Sequence, residues 1–211
     1  MKEIFATRDF IEAHAEKINT LRVTEASETE LKKISLQNTP NHVLAVCHYF
    51  EEPQSTFDFK NNFSLYLDDV RDPGNLGTII RLAGWFGLST IFCSPASCDF
   101  YNPKVIQSTM GAFLRVNVVY TDLTELLAPV PTMPVYGAVL NGKSLYVEKP
   151  TNGLIIIGNE ANGISEQNLK LITNPITIPA GSQNNTESLN AAIATSIIVS
   201  EFFRQLKLHA V

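Results

Sequence analysis

Three short stretches combine glycine, amide, carboxylate and guanidinium side chains at spacings that could hold a ligand. The first is Asp72-Pro73-Gly74-Asn75-Leu76-Gly77, followed by Arg81 and Gly84. A glycine-containing loop that opens a helix leaves backbone amides free for phosphate or another polar group. Gly77, Arg81 and Gly84 fall on one helical stripe, so the guanidinium is expected in a groove between two residues without side chains. A plain turn followed by a surface arginine fits the same spacing. The second stretch, Gly158-Asn159-Glu160-Ala161-Asn162-Gly163, follows the apolar run Leu154 to Ile157. Its glycines, asparagines and carboxylate suit either a backbone that wraps a ligand or a long turn. The third runs from Ile178-Pro179 through the polar loop Ala180 to Thr186 and into Glu187-Ser188-Leu189-Asn190. Ser188 is expected to cap the final helix. Asn190, deeper inside, has no such duty to explain it.

Other chemistries find less support. The glycines form neither GxGxxG nor a P-loop, and no Gly-x-Ser-x-Gly elbow is present. His42, Cys47 and His48 lack a common metal-ligand spacing. Cys93 and Cys98 read as buried thiols, and His14 and His209 as surface residues.

The elements that must carry these loops alternate. From Phe63 onward, strands are expected at Leu65 to Leu67, Thr90 to Cys93, Phe113 to Val119, Val135 to Leu140, Leu154 to Ile157 and Ile176 to Ile178. Helices are expected at Leu76 to Phe86, after Asn102-Pro103, and at Asp122 to Leu127, Ser165 to Ile172 and Ser188 to Lys207. Such alternation predicts an α/β domain, a parallel sheet with helices on both faces. Residues 1–62 differ in texture. They are rich in charge, with a helix expected near Glu28 to Lys33, a short strand at His42 to Cys47 and a polar linker at Glu51 to Asn62. The expected layout is therefore 1–62, a partial N-terminal domain with its linker, and 63–211, the main domain. No internal repeat is apparent.

Composition narrows the class further. The chain has 211 residues, 45% hydrophobic and 18% charged, enough for a sizeable core. No apolar run approaches the roughly 18 residues of a membrane span, and the N-terminus lacks a signal-peptide pattern. Three cysteines without a CxxC argue against a disulfide scaffold, and a cytoplasmic setting is expected. The net charge of −5 means that any nucleic-acid contact must use a local basic patch or two subunits together.

Taken together, the three stretches resemble the signature motifs of the SpoU (TrmH-like) RNA ribose 2′-O-methyltransferases of the SPOUT class. The first reads DPGNLGTIIRLAGWFG, Asp72 to Gly87, and continues to Lys104 and Ser108-Thr109-Met110-Gly111. The second reads IIIGNEANGIS, Ile155 to Ser165, and the third IPAGSQNNTESLNAAIATSIIVSEF, Ile178 to Phe202. The resemblance implies a C-terminal trefoil knot, an exception to the usual unknotted chain. It also implies S-adenosylmethionine as cofactor, held at Gly158, Ile178 and Leu189. Asn75, Arg81, Glu160, Ser188 and Asn190 fall on the family's catalytic or RNA-facing positions. The implied partners are RNA, ribosomal rather than transfer RNA, and a second copy of the chain in a homodimer. Residues 1–62 resemble the latter part of a ribosomal-protein-like RNA-binding domain without its usual opening strand and helix, so a shortened or truncated chain is expected. The third-motif loop AGSQNNTES is about two residues longer than the family pattern.

The implied reaction is in-line attack of a ribose 2′-hydroxyl on a sulfonium methyl, which asks the protein chiefly for alignment and proton removal. Relatives assign Arg81's position as the base. A guanidinium normally stays protonated, so phosphate binding and alkoxide stabilisation are the other reading. From another class, a non-catalytic RNA-binding module for ribosome assembly keeps the same fold. The final helix is apolar over a wide arc, with Leu189, Ile193, Ile197, Ile198, Phe202 and Phe203 expected to include the face that meets the partner subunit.

Overall fold

The structure is a computed structural model that describes residues 1–37, 39–49, 58–59, 62–181 and 187–206. Most of the expected linker and the core of the lengthened third-motif loop, residues 182–186, lie outside the described residues. So does part of the segment expected to thread the knot.

Two compact units are present, Met1–Glu52 and Pro53–Val211. The first contains β1 (Glu3–Ala6), α1 (Arg8–Ala13), α2 (Ala15–Ile18), β2 (Val23–Glu25), α3 (Glu28–Ile34) and β3 (Val43–Val46). Its strands lie in the order β2-β1-β3, with β1 parallel to β2 and antiparallel to β3. Ile4, Ala6 and Ile18 form its small core. A strand and a helix thus open this unit, in a stretch where the sequence reading placed no element. Helix α3 begins with a capping box: the Glu30 amide donates to Ser27 Oγ at 3.3 Å, and the Ser27 amide donates to Glu30 Oε2 at 2.8 Å.

The second unit continues with β4 (Ser64–Leu67), α4 (Pro73–Trp85), β5 (Thr90–Cys93), α5 (Pro103–Ser108), β6 (Asn117–Tyr120), α6 (Leu123–Leu127), β7 (Val135–Ser144), β8 (Leu154–Ile157), α7 (Glu166–Leu169), β9 (Asn174–Thr177) and α8 (Ala191–Leu206). The six strands pair in parallel in the order β6-β5-β4-β8-β7-β9. All four residues of β4, β5 and β8 are buried, as expected for strands covered on both faces. On one face Leu65, Leu67, Ile155 and Ile157 pack with residues of α4, α5 and α8. On the other, Tyr66, Leu154 and Ile156 pack with Leu123 of α6 and with Phe59 and Met133. Among the described residues, no helix is long and apolar enough to cross a membrane.

Several boundaries move, each for a local reason. Helix α4 starts at Pro73 rather than Leu76, because Asp72 Oδ1 accepts the Asn75 amide at 2.8 Å and proline suits the first turn. The strand expected at Phe113 to Val119 splits. Ala112–Leu114 forms a 3₁₀ turn behind Gly111, whose φ is +86°, and only Asn117–Tyr120 joins the sheet.

The groove expected around Arg81 does not exist. A Cβ on Gly77 would lie 2.5 Å from Ser108 Cβ and 2.6 Å from the Val105 carbonyl oxygen, and one on Gly84 would lie 3.4 Å from Ala112 Cβ. Gly77 lets α5 approach α4 and the 3₁₀ turn packs in ordinary contact beside Gly84, so the stripe is filled and Arg81 emerges exposed beside it.

Helix α8 corrects two expectations. It begins at Ala191, and Ser188 is not its cap. Asn190 is: its Oδ1 accepts the amides of Ala192 at 3.0 Å and Ile193 at 3.2 Å. Phe202 and Ile198, expected on a partner-facing arc, are buried in the subunit's own core, where Phe202 packs on Phe63 and Tyr136. The apolar residues that α8 and its lead-in leave exposed are Leu189 and Ile193.

Candidate active site

The chain leaves β4 toward β5 and β6 on one side and later fills β8, β7 and β9 on the other. The strand order therefore reverses between β4 and β8, where parallel sheets of this kind hold ligands at the carboxyl ends. The first motif leaves β4 and the second leaves β8, so both arrive at that crevice, and the third follows β9.

The second motif forms a tight, self-supporting loop. A Cβ on Gly158 would sit 2.2 Å from the Gly163 carbonyl carbon and 2.3 Å from the Ile164 nitrogen. Asn159 and Gly163 exchange two backbone hydrogen bonds, at 3.0 and 2.8 Å, and Gly163 turns the chain with φ +68°. Asn159 Oδ1 accepts the amides of Ala161 and Asn162. This loop, the ends of β7 and β9, and the start of α8 enclose a cavity of about 880 Å³. Gly158, Ile178 and Leu189, the three expected cofactor contacts, all line it, as do Glu160 and Ser188. Its remaining walls are largely apolar, among them Ala138, Leu140, Ile176 and Ile198. Apolar walls with a few convergent polar groups suit a small organic ligand.

Beside the cavity, three expected residues meet. Asn75 Nδ2 donates to Glu160 Oε1, and Asn190 Nδ2 donates to Asn75 Oδ1 at 2.9 Å. The polarity of this relay is fixed at both ends. An ionised carboxylate can only accept, and the amides at the start of α8 can only donate. Asn75 must therefore donate to Glu160 and accept from Asn190. The chain of bonds spans all three motifs.

Arg81 and Ser188 are not joined to this relay. Both are exposed, and among the described residues no hydrogen bond or ion pair engages either side chain. Arg81 stands six residues beyond Asn75, about 9 Å along the helix axis.

Two buried titratable groups of β4 and β5 are poorly suited to moving protons. Burial, then the charges of Asp68 and Asp122, hold the Tyr66 hydroxyl above its ordinary range. Burial does the same to the Cys93 thiol, leaving it a poor nucleophile. Sequence reasoning missed Asp68 and the side-chain role of Asn159. Asp68 accepts the Ser165 amide through Oδ2, and Asn159 Nδ2 donates to the Asp69 carbonyl, each at 2.8 Å. The available signal was a carboxylate pair, Asp68-Asp69, directly after the short strand Ser64–Leu67.

Comparison with known proteins gives a consistent result. The SpoU rRNA Methylase family profile matches residues 62–200. The 23S rRNA (guanosine(2553)-2′-O)-methyltransferase RlmP of Bacillus subtilis is 32% identical over 177 residues, 82% of this chain and 69% of that protein. Among solved structures, one assigned as an RNA methyltransferase of the TrmH family from Porphyromonas gingivalis superposes with a TM-score of 0.81 at 37% identity. The match covers 95% of this chain and 81% of that one. An AdoMet-bound rRNA methyltransferase from Sinorhizobium meliloti gives a TM-score of 0.78 at 26% identity, over 97% and 80% of the two chains.

Proposed function

The chain belongs to the SpoU rRNA methylase family, and from that premise we propose that it transfers a methyl group from S-adenosylmethionine to a ribose 2′-hydroxyl of ribosomal RNA. The observation that carries this reading is the cavity itself. Gly158, Ile178 and Leu189 line it, and the Asn75–Glu160–Asn190 relay stands beside it. The cavity's composition fits the cofactor: apolar walls for an adenine ring, with turning main chain at Gly158 to Gly163 for polar edges.

When bound, the sulfonium supplies an electrophilic methyl group. The protein's task is then alignment. The cavity walls fix the donor, while the relay holds the Glu160 carboxylate in one place. Arg81, unengaged by other side chains, binds the phosphate next to the target ribose and stabilises charge developing on the 2′-oxygen. That role uses a protonated guanidinium, so the proton leaving the 2′-hydroxyl passes to the Glu160 carboxylate of the relay.

Three finer readings accompany the main one. The enzyme works as a homodimer, with exposed Leu189, Ile193 and, on the neighbouring α4, Trp85 beneath the second copy. Residues 1–62 form the RNA-contact domain, the role that their resemblance to a ribosomal-protein-like RNA-binding domain implies. The setting is the cytoplasm.

The test is methyl transfer from labelled S-adenosylmethionine to ribosomal RNA, with ribose methylation mapped in RNA from cells with and without the gene. The expected result is one ribose mark that disappears with the gene. Cofactor binding without any transfer would favour a non-catalytic assembly module instead. For the dimer, Ile193→Glu should lower the light-scattering mass from two copies to one, and an unchanged dimer would exclude that face.

A further inference from the structure

The cavity wall formed by residues 158–165 is braced from outside the cavity. Two of its bonds run to the corner that follows β4. At the loop's start, Asn159 Nδ2 donates to the Asp69 carbonyl at 2.8 Å. At its end, the Ser165 amide donates to Asp68 Oδ2 at 2.8 Å. The corner that accepts both bonds is itself fixed. The Asp69 amide donates to Ser94 Oγ at 2.9 Å, and the Val70 amide donates to Ser97 Oγ at 3.2 Å. The Asp68 amide donates to the Ile157 carbonyl at 2.8 Å, extending the β4–β8 ladder by one step. Asp69 holds φ +59°, a left-handed conformation uncommon for a residue with a side chain.

Asp68 is the unusual member of this corner. It is 3% exposed, and none of the ion pairs among the described residues includes it. Burying a carboxyl group is costly unless something inside the protein compensates it. A carboxylate that accepts a backbone amide makes the stronger, charge-assisted kind of hydrogen bond. Here that amide directly follows Ile164, the last residue of this loop to line the cavity. The Oγ of the same Ser165 is buried without a partner, so the side chain does nothing to hold the loop, and its amide is the group that does. Asp68 does not line the cavity, so its influence on a ligand must pass through the loop.

We infer that Asp68 is a positioning residue for the cofactor: its carboxylate clasps the Ser165 amide and keeps the 158–165 wall closed before any ligand arrives. The inference rests on the methyltransferase reading and adds a residue that neither the cavity nor the relay contains. It separates binding from chemistry because the Asp68 clasp sits at the Ser165 end of the wall, while the Glu160 end stays tied to Asn75 and Asn159 stays tied to the Asp69 carbonyl.

The test compares Asp68→Ala and Asp68→Asn with the wild type. The readouts are S-adenosylhomocysteine affinity by calorimetry, steady-state methyl transfer, and hydrogen exchange at the Ser165 amide. Leaving a buried donor unpaired corresponds to a loss of about tenfold. The alanine variant should therefore raise the S-adenosylhomocysteine Kd and the S-adenosylmethionine KM by that factor, with kcat nearly unchanged at saturating cofactor. Asparagine still offers an oxygen to Ser165, so Asp68→Asn should recover most of the affinity. A kcat loss with unchanged KM, an unaltered Kd in the alanine variant, or an asparagine variant as poor as alanine would each overturn the assignment. Should the alanine variant not fold, the wild type decides. Exchange at Ser165 should already be slow without ligand, and an amide protected only after S-adenosylhomocysteine binds would overturn the clasp. Wild-type protein that binds no S-adenosylhomocysteine would sink the functional reading as a whole. Normal wild-type binding with indifferent variants would sink only the role of Asp68.

Discussion

The loop 158–165 and the outer face of α4 serve one site, yet the first is bonded at many points and Arg81 on the second is bonded at none among the described residues. The loop closes on itself through Asn159 and Gly163 and reaches Asp68 and Asp69 in the corner after β4 and Asn75 on the first motif. Arg81 is exposed and free of ion pairs, although nearby Arg71 and Lys104 are paired with Asp69 and Asp72. A ligand that binds the loop meets a wall already in place and loses little to ordering it. A group that awaits its partner in solvent is suited instead to a substrate that brings its own negative charge. The difference divides the labour between holding the cofactor and engaging RNA.

The largest expected effect breaks the second half of that comparison. Arg81→Ala should cut methyl transfer by about 10³-fold, the scale for removing a donor aimed at developing charge. S-adenosylhomocysteine affinity should stay within a few-fold of wild type, since Arg81 does not line the cavity. Single-turnover methyl transfer and calorimetry on the same preparation check both parts. Normal turnover would remove Arg81 from the mechanism.

A middle-sized effect tests the first half. Gly158→Ala places a methyl carbon 2.2 Å from the Gly163 carbonyl carbon, with backbone rather than a yielding side chain on the other side. Overpacking of this kind costs roughly 1–3 kcal/mol, and the strain falls on the cavity wall. The variant should melt lower and bind S-adenosylhomocysteine far more weakly. Unchanged melting and affinity would mean that the wall is pliable and the contrast with Arg81 false.

The sequence made these two halves legible to different degrees. The strands of the sheet read directly from fully apolar runs such as Leu154 to Ile157, because a strand covered on both faces has no polar side to confuse the pattern. The cavity contacts Gly158, Ile178 and Leu189 followed from motif resemblance, and all three line one space. What stayed hidden depends on what packs against what. Gly77 and Gly84 read as a groove because their spacing is visible, while the segments that pack on them, α5 on Gly77 and Ala112 with Val116 on Gly84, lie more than twenty residues on in the chain. Phe202 read as interface material because apolarity cannot distinguish a neighbouring helix from a second subunit. Asn190 looked idle because a cap depends on where the helix starts, and that start lies two residues later than Leu189.

The smallest expected effect concerns stability, and Asn190 is where it separates structure from chemistry. Its Oδ1 caps α8, while its Nδ2 feeds the relay through Asn75 to Glu160. Asn190→Ala removes both functions and should cost about 1 kcal/mol of stability along with activity. Asn190→Asp retains an oxygen for the helix amides, so melting should stay close to wild type. It has no donor for Asn75, however, and turning the Asn75 amide would only set its oxygen against the Glu160 carboxylate. The aspartate variant should therefore fold normally, bind S-adenosylhomocysteine normally and lose activity as severely as the alanine variant. Thermal melts and methyl-transfer rates on the pair settle the matter. If the aspartate variant is fully active, Asn190 serves only as a cap and the relay ends at Asn75.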